Sequence, residues 1–484
     1  MRRIILILFL AAAANAQAPL RSCESLASFS MANTTIESAV AESGVCRVTA
    51  SVTHPPAGDR IRMWIGLPMT GWNGRFEGVG GGGFSGGNPN GIVAPVRQGY
   101  VAGSTDTGHE GGSGSFALDA TGHLNWMLIR DNAYLGIHEM TVTGKALVQA
   151  FYGRAPEHSY FNGCSTGGRQ GLSEAQRYPA DYDGILSGAP AINFTKLHIE
   201  QMWGNLVMKQ LNDFVPRCKF VAASVAAVNA CDGADGVTDG VIENPQACNY
   251  DPKQLVGTST ECGDFTAADA EVIRKIWQGP RRQDGSFLWY GLQRGADFMG
   301  LSSPGQPNPI TMEWWRFFLT QNPQWDWKAL TSELYEQYWE QSVEEFSAVI
   351  ATDNPDLTAF RDRGGKIVLW HGWWDQLIYP EGTIDYYQRV QKQLGESTAK
   401  FARLFMAPGV SHCAGGPGPQ PDRPFDAVVR WVEQGQAPDV LNAVRRDAGG
   451  KVVRTRPLCQ FPMVARSKGS GSTDEAGSFV CAAQ

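Results

Sequence analysis

The pentapeptide Gly163-Cys164-Ser165-Thr166-Gly167 restricts this chain more than any other feature. It is a G-x-S-x-G pattern set between a short strand-like run, Ser159-Tyr160-Phe161, and a helix-like stretch from Gln170 to Arg177. In that setting the glycines permit a sharp turn that lifts a serine hydroxyl clear of the backbone. Ser165 is therefore the candidate nucleophile. A chain with 56 glycines also produces such a pentapeptide by chance, so the strand and helix around it carry the weight.

A serine hydroxyl needs a histidine to take its proton, and the imidazole needs a carboxylate to fix its tautomer. On a nucleophile turn of this kind the partners follow in the order Ser, Asp, His. Lys366-Ile367-Val368-Leu369-Trp370 reads as a fully buried parallel strand and is followed by His371-Gly372-Trp373-Trp374-Asp375. Phe401 to Met406 reads as another, followed by Ser411-His412-Cys413. Open α/β sheets place their sites just past strand ends, which selects Asp375 and His412. The other histidines, His54, His109, His123, His138, His158, His198 and His371, read individually as surface or structural.

Gly80 to Gly83 follows a predicted strand at Phe76 to Val79 and supplies backbone N–H groups unobstructed by Cβ. The expected oxyanion site pairs Thr166 N–H with that of Gly82 or Gly83. Gly78 to Gly83 also satisfies G-x-G-x-x-G, a weak match to a nucleotide loop.

The chain is predicted to be α/β, with a hydrolase-type core interrupted by an insertion. Alternation at Val48, Ala50, Val52, Ile61, Met63 and Ile65 predicts strands at the start, and Ala133 to Tyr152 carries a helical apolar face. Residues 193–364 change character, from a Cys- and Asp-rich segment to an aromatic one (Trp314, Trp315, Phe317, Phe318, Trp325, Trp327), and read as an inserted domain between catalytic portions 19–192 and 365–484. Gly469 to Gly477 reads as a surface loop.

Arg2-Arg3, the apolar run Ile4 to Ala14 and small-x-small sites ending at Ala18 predict a cleaved signal peptide over residues 1–18. The run is too short to cross a hydrocarbon core of about 30 Å, so a soluble exported protein, secreted or periplasmic, is expected. With 41 basic against 48 acidic residues, no surface suited to nucleic acid is expected. Ten cysteines in an exported chain suggest five disulfides. Local pairs Cys23–Cys46, Cys231–Cys248 and Cys459–Cys481 are natural choices. Cys164 precedes Ser165 and Cys413 follows His412, so a bridge between them would hold nucleophile and base in register; otherwise both are small apolar neighbours of the site.

Asp232, Asp235 and Asp239 crowd a glycine-rich loop, Cys231 to Val241. A hard cation, Ca²⁺ above all, would relieve their repulsion, with carbonyls of Val237 and Val241 completing the set; the role would be structural. The spacing is not that of an EF-hand, and a solvated acidic turn is the alternative.

Taken together, Cys164-Ser165, Asp375 and His412-Cys413 resemble the mark of the tannase and feruloyl esterase family. The likeness extends through Ala102 to Gly108, Ala150 to Gly171, Gly184 to Ala191, the Asp232–Gly240 loop and HGWWD. It implies an α/β-hydrolase core, a calcium-binding lid between nucleophile and acid, and a disulfide joining Cys164 to Cys413. It also implies hydrolysis of small aromatic esters without an organic cofactor: hydroxycinnamoyl (feruloyl-type) esters, with galloyl esters or mono-hydroxyethyl terephthalate as alternatives. A binding protein on a hydrolase scaffold is the reading from another class, and it would require a missing triad member. The aromatic segment of the lid could stack on an acyl group, although core packing suits any single Trp or Phe. Cys218 and Cys262 have no firm partner in the family pattern; they are paired by default, with Cys248–Cys262 open. Neither membrane nor nucleic acid is an expected partner, and the oligomeric state is not encoded legibly.

Overall fold

The computed structural model describes residues 18–298, 301 and 306–483. The predicted leader, apart from Ala18, lies outside the described residues. The main sheet has nine strands: β1 (Thr34–Glu42), β2 (Val45–Val52), β3 (Ile61–Pro68), β4 (Arg75–Val79), β5 (Val101–Thr105), β6 (His158–Cys164), β7 (Gly184–Gly188), β8 (Lys366–Gly372) and β9 (Ala402–Ala407). Their spatial order is β1-β2-β3-β5-β4-β6-β7-β8-β9. The first three run antiparallel, and β5 turns against β3 to begin a parallel block that continues through β9. This is the α/β-hydrolase arrangement with an extra N-terminal edge strand.

Alternation along the parallel strands explains how the sheet is held. Phe161, Ile185, Ile367, Leu369 and Leu404 join a cluster that includes Leu147 of helix α1 (Gly136–Tyr152) and Leu172 of helix α2 (Thr166–Arg177). Their neighbours Tyr160, Leu186, Val368, Trp370 and Phe405 join a second cluster with Val428 and Trp431 of helix α3 (Pro424–Gln434). Side chains two apart share a face, so the two clusters are the two covered faces of one sheet. The apolar runs that read as buried strands are buried for this reason.

The helix expected from Ala133 begins differently. Residues Asp131–Leu135 form a π turn before the α-helix proper starts at Gly136. The wholly buried Arg169 donates to Ala133 O (2.8 Å) and Asn132 O (3.3 Å), placing a cation against carbonyls of this turn. Inserted side chains of this kind loosen a regular helical ladder.

Between β7 and β8 the chain leaves the sheet. Helices at Phe194–Glu200, Trp203–Leu211, Arg217–Cys231, Ala267–Gln278 and Ser332–Ile350 occupy this excursion. Its apolar interior is continuous with that of the sheet. Phe84, directly after the Gly-rich loop, packs on Phe194 and Phe318 with ring centroids 5.9 and 5.6 Å apart. Trp314, Trp315, Trp327, Tyr335 and Trp339 are buried, so the aromatic stretch is spent on core packing. A set of rings this large buries enough apolar surface to fix the excursion rigidly on the sheet.

Five disulfides close: Cys23–Cys46, Cys164–Cys413, Cys218–Cys262, Cys231–Cys248 and Cys459–Cys481. Four span 17 to 44 residues. The fifth spans 249 and joins the ends of β6 and the loop after β9. No helix among the described residues is long and apolar enough to cross a membrane.

Candidate active site

Parallel register brings three distant segments to one sheet edge. Cys164 pairs with Gly188, Trp370 pairs with the same Gly188, and Gly372 pairs with Ala407. Ser165 sits just past β6 with φ 64° and ψ −126°, a backbone conformation that side chains other than glycine rarely adopt. Its N–H donates to Gly188 O (3.0 Å) and its carbonyl accepts from Arg169 N–H (3.0 Å), so the turn is fastened on both sides. A Cβ at Gly163 would lie 2.4 Å from the backbone of Gly167, which is why only glycine closes this turn.

The Gly-rich loop is clamped to α2. Gln170, fully buried one turn beyond Ser165, accepts from Gly81 N–H (2.9 Å) and donates to Gly86 O (3.1 Å). Thr166 Oγ1 donates to Gly83 O (2.6 Å). Gly82 N–H is engaged with Ser85 O (3.2 Å), whereas Thr166 N–H and Gly83 N–H have no partner among the described residues. Of the two glycines singled out in the sequence, Gly83 is thus the one with an uncommitted donor.

Asp375 is the hub of the site and is wholly buried. Its Oδ1 accepts from Leu377 N–H (2.9 Å) and Ile378 N–H (2.8 Å), and its Oδ2 meets His412 Nδ1 at 2.7 Å and His371 Nε2 at 3.0 Å. Burial pushes its carboxyl up. The positive charge that His412 can carry and the hydrogen bonds from both imidazoles outweigh that and hold it well below the usual carboxylate range. Glu200 is buried close by, and burial first, then the Asp375 charge, raises it far above an ordinary carboxyl.

Ser165, His412, Cys164 and Cys413 border one cavity of about 350 Å³, a volume in the range of small-molecule sites. No hydrogen bond links Ser165 Oγ to His412 Nε2, which lies 3.6 Å from Cys413 Sγ. Catalytic hydrogen bonds are commonly loose in the free enzyme and tighten with substrate. The cavity wall is mostly apolar, with Phe194, Leu197, Ile310, Leu377 and Ile378. Its polar groups away from the reacting edge are His198, Gln201 and Asn308. Burial lowers His198 to about 3, so that ring is neutral at any working pH. None of the tryptophans of the aromatic stretch lines the cavity; among the described residues Phe194 is the one phenyl ring in its wall.

Sequence reading missed His371. The signal was available: His371 and Asp375 are four residues apart in HGWWD, directly past a buried strand, but a lone histidine there reads as structural. It also missed two groups assembled from distant segments, His54–Asp59–Asp131 and His138–Glu174–Asp181, whose ligand-type atoms lie within 4.8 Å of one another and which are acidic enough to hold a metal ion. In each, the imidazole already contacts a carboxylate, at 2.5 Å to Asp59 and 2.7 Å to Asp181. Burial raises Asp131 to about 7.

The acidic loop lies in the excursion, directly after the helix Arg217–Cys231. Asp232 accepts backbone N–H groups of Asp239 (3.1 Å), Gly240 (2.8 Å) and Val241 (3.3 Å). Asp235 accepts from Val237 N–H (2.9 Å), and Asp239 pairs with Arg456 (2.5 Å) and Arg454 (3.3 Å). Burial, then the charges of Asp239 and Asp232, raise Asp235 above an ordinary carboxyl. The carbonyls of Val237 and Val241 accept no hydrogen bond from a described residue. Asp239 is thus met by two guanidinium groups, and Asp232, Asp235 and Asp239 do not form one of the described groups whose ligand-type atoms lie within 4.8 Å of one another.

A serine on a tight turn at one strand end, with a histidine and a carboxylate past two others, is the arrangement of the α/β-hydrolase class, and the chain's relatives make it a carboxylic ester hydrolase. Residues 46–482 match the family described as tannase and feruloyl esterase. The chain is 38% identical to a probable feruloyl esterase of Arthroderma benhamiae over 93% of this chain and 86% of that protein. It is 31% identical to mono(2-hydroxyethyl) terephthalate hydrolase of Piscinibacter sakaiensis, over 90% and 85%. The crystal structure of feruloyl esterase B from Aspergillus oryzae superposes with a TM-score of 0.86 at 28% identity, covering 95% of this chain and 99% of that one. The chain belongs to the tannase and feruloyl esterase family and is an esterase.

Proposed function

We propose that this protein is an exported serine esterase that hydrolyses feruloyl-type esters of hydroxycinnamic acids through an acyl-enzyme. Ser165 Oγ attacks the ester carbonyl after a rotation about its single side-chain bond, and His412 Nε2 takes the proton. Asp375 steadies the imidazolium through Nδ1, and the N–H groups of Thr166 and Gly83 receive the oxyanion. His412 then gives its proton to the leaving alcohol, activates water on the second half-reaction, and frees the aromatic acid. The bridge Cys164–Cys413 keeps nucleophile and base in register.

The observation that carries the substrate class is the neutral wall of the cavity. An aryl acyl group with phenolic hydroxyls can be buried against Phe194 and the amides of Gln201 and Asn308 with no charge to compensate. Mono-hydroxyethyl terephthalate, for which one relative is named, ends in a carboxylate. Desolvating that charge costs several kcal/mol without a cation, and the described lining holds neither Lys nor Arg. Galloyl esters are neutral and hydroxylated too, and the same wall makes them the second reading. The test is a panel of methyl ferulate, methyl gallate, mono-hydroxyethyl terephthalate and p-nitrophenyl butyrate. Methyl ferulate should give the highest kcat/KM and the terephthalate the lowest; a preference for the terephthalate would overturn the assignment.

Residues 193–364 serve as a lid over the cavity, contributing Phe194, Gln201 and Asn308 to its wall. The loop Asp232–Val241 is where structural Ca²⁺ would bind, on Asp232, Asp235, Asp239 and the carbonyls of Val237 and Val241, which accept no hydrogen bond from a described residue; the ion would take no part in ester cleavage. Five closed disulfides favour export through the predicted leader of residues 1–18.

A further inference from the structure

The carboxylate of Asp375 holds two histidines, and only one of them reaches the cavity. His371 is the penultimate residue of β8, is 0% exposed, and shares Asp375 Oδ2 with His412. Its Nε2 faces two acceptors, Asp375 Oδ2 at 3.0 Å and Ile378 O at 2.9 Å, so that nitrogen must carry a proton. Its Nδ1 lies 2.9 Å from Thr383 Oγ1, a hydroxyl able to donate. With Thr383 donating, the ring is satisfied as the neutral Nε2–H tautomer, and every polar atom of this buried group has a partner.

Neutrality matters for the reaction. A carboxylate offers about four lone-pair directions. Leu377 and Ile378 take those on Oδ1, while His412 and His371 share Oδ2. The carboxylate therefore cannot rotate without breaking a bond, and its negative charge remains available to the imidazolium that forms on His412. A leucine in place of His371 would leave Ile378 O and one direction of Oδ2 unpartnered in a dry interior, and the carboxylate could turn toward other donors.

We propose that His371 is a positioning residue for ester hydrolysis, fixing Asp375 so that Oδ2 points at His412 Nδ1. The inference rests on the reading of Ser165, His412 and Asp375 as the reacting set. It requires no contact between His371 and substrate, so its signature is a fall in kcat at unchanged KM.

The experiment compares wild type with His371→Leu, His371→Gln and Ser165→Ala on methyl ferulate across pH, with the melting temperature of each. His371→Leu should lower kcat by about 10- to 100-fold with KM within about twofold, the loss expected for a small misplacement of a reacting group. It should shift the acidic limb of kcat/KM and weaken the far-downfield proton resonance of the Asp375–His412 bond. His371→Gln, which restores an N–H donor near the Nε2 position, should recover most of the rate and the resonance. Should His371→Leu not fold, His371→Gln and Thr383→Val carry the same comparison. A wild-type kcat, limb and resonance in a folded His371→Leu would overturn the role of His371. Turnover by Ser165→Ala would instead bring down the underlying reading, so the two failures are distinguishable.

Discussion

The reacting centre and the acidic loop solve the same problem in opposite ways. Each holds a buried carboxylate, Asp375 in one and Asp232 in the other. Asp375 draws three partners from within four residues, His371 and the N–H groups of Leu377 and Ile378, and a fourth, His412, from the loop after β9, and is held strongly ionised. Asp232 and Asp235 draw theirs mostly from the next few residues, Asp239 from two arginines of the C-terminal strand Val452–Cys459, and Asp235 is pushed upward instead. At Asp375 the donors, two of them imidazoles, outweigh burial and keep the carboxylate ionised beside His412. In the loop, burial and the neighbouring carboxylates outweigh the one amide that Asp235 accepts, and its carboxyl is raised.

If that contrast is right, its largest consequence is at Asp375. Asp375→Asn keeps the shape but loses the charge and inverts the demand on His412, so kcat on methyl ferulate should fall about 10⁴-fold with the fold intact. A loss under tenfold would erase the contrast. Opening the clasp should cost less: Cys164→Ala with Cys413→Ala leaves every reacting group present but unfastened, and kcat should drop about 100-fold. Unchanged steady-state kinetics would reject a positioning role for the bridge.

Stability separates the regions further. The folded-state pKa of Asp375 is depressed, so the stability it contributes is present above its unfolded value of about 3.9 and is lost as pH falls toward the folded value. Denaturation midpoints of wild type should therefore fall through the acid range below pH 4 more steeply than those of Asp375→Asn; parallel curves would contradict the ionised hub. The smallest effect belongs to the loop. Calcium removal by chelation should lower the melting temperature by about 2 to 4 °C and leave kcat at low temperature intact. An unshifted melting curve after verified calcium removal would count against the cation.

The parts legible from sequence were those whose chemistry is local. Ser165 was marked by its own pentapeptide, and Asp375 and His412 by buried strands that end just before them. Cys164 and Cys413 were marked by adjacency to Ser165 and His412, and the bridge between them closes. What escaped depended on three-dimensional neighbours. His371 looks like any histidine until Asp375 and Thr383 are placed around it. Gly82 and Gly83 are indistinguishable in sequence, yet only Gly82 spends its N–H on Ser85 O. The aromatic stretch from Trp314 left acyl stacking open beside core packing, and it is packing that its rings do, on Phe84 and on one another. The π turn at Asp131–Leu135 follows from Arg169, a residue in another element.

Trapping the covalent intermediate is the most direct test of the central claim. Acid quenching during turnover of p-nitrophenyl ferulate, followed by peptide mass spectrometry, should find one feruloyl group on the peptide containing Ser165, and none in Ser165→Ala. Feruloyl transfer to another residue, or turnover by Ser165→Ala at near the wild-type rate, would contradict it.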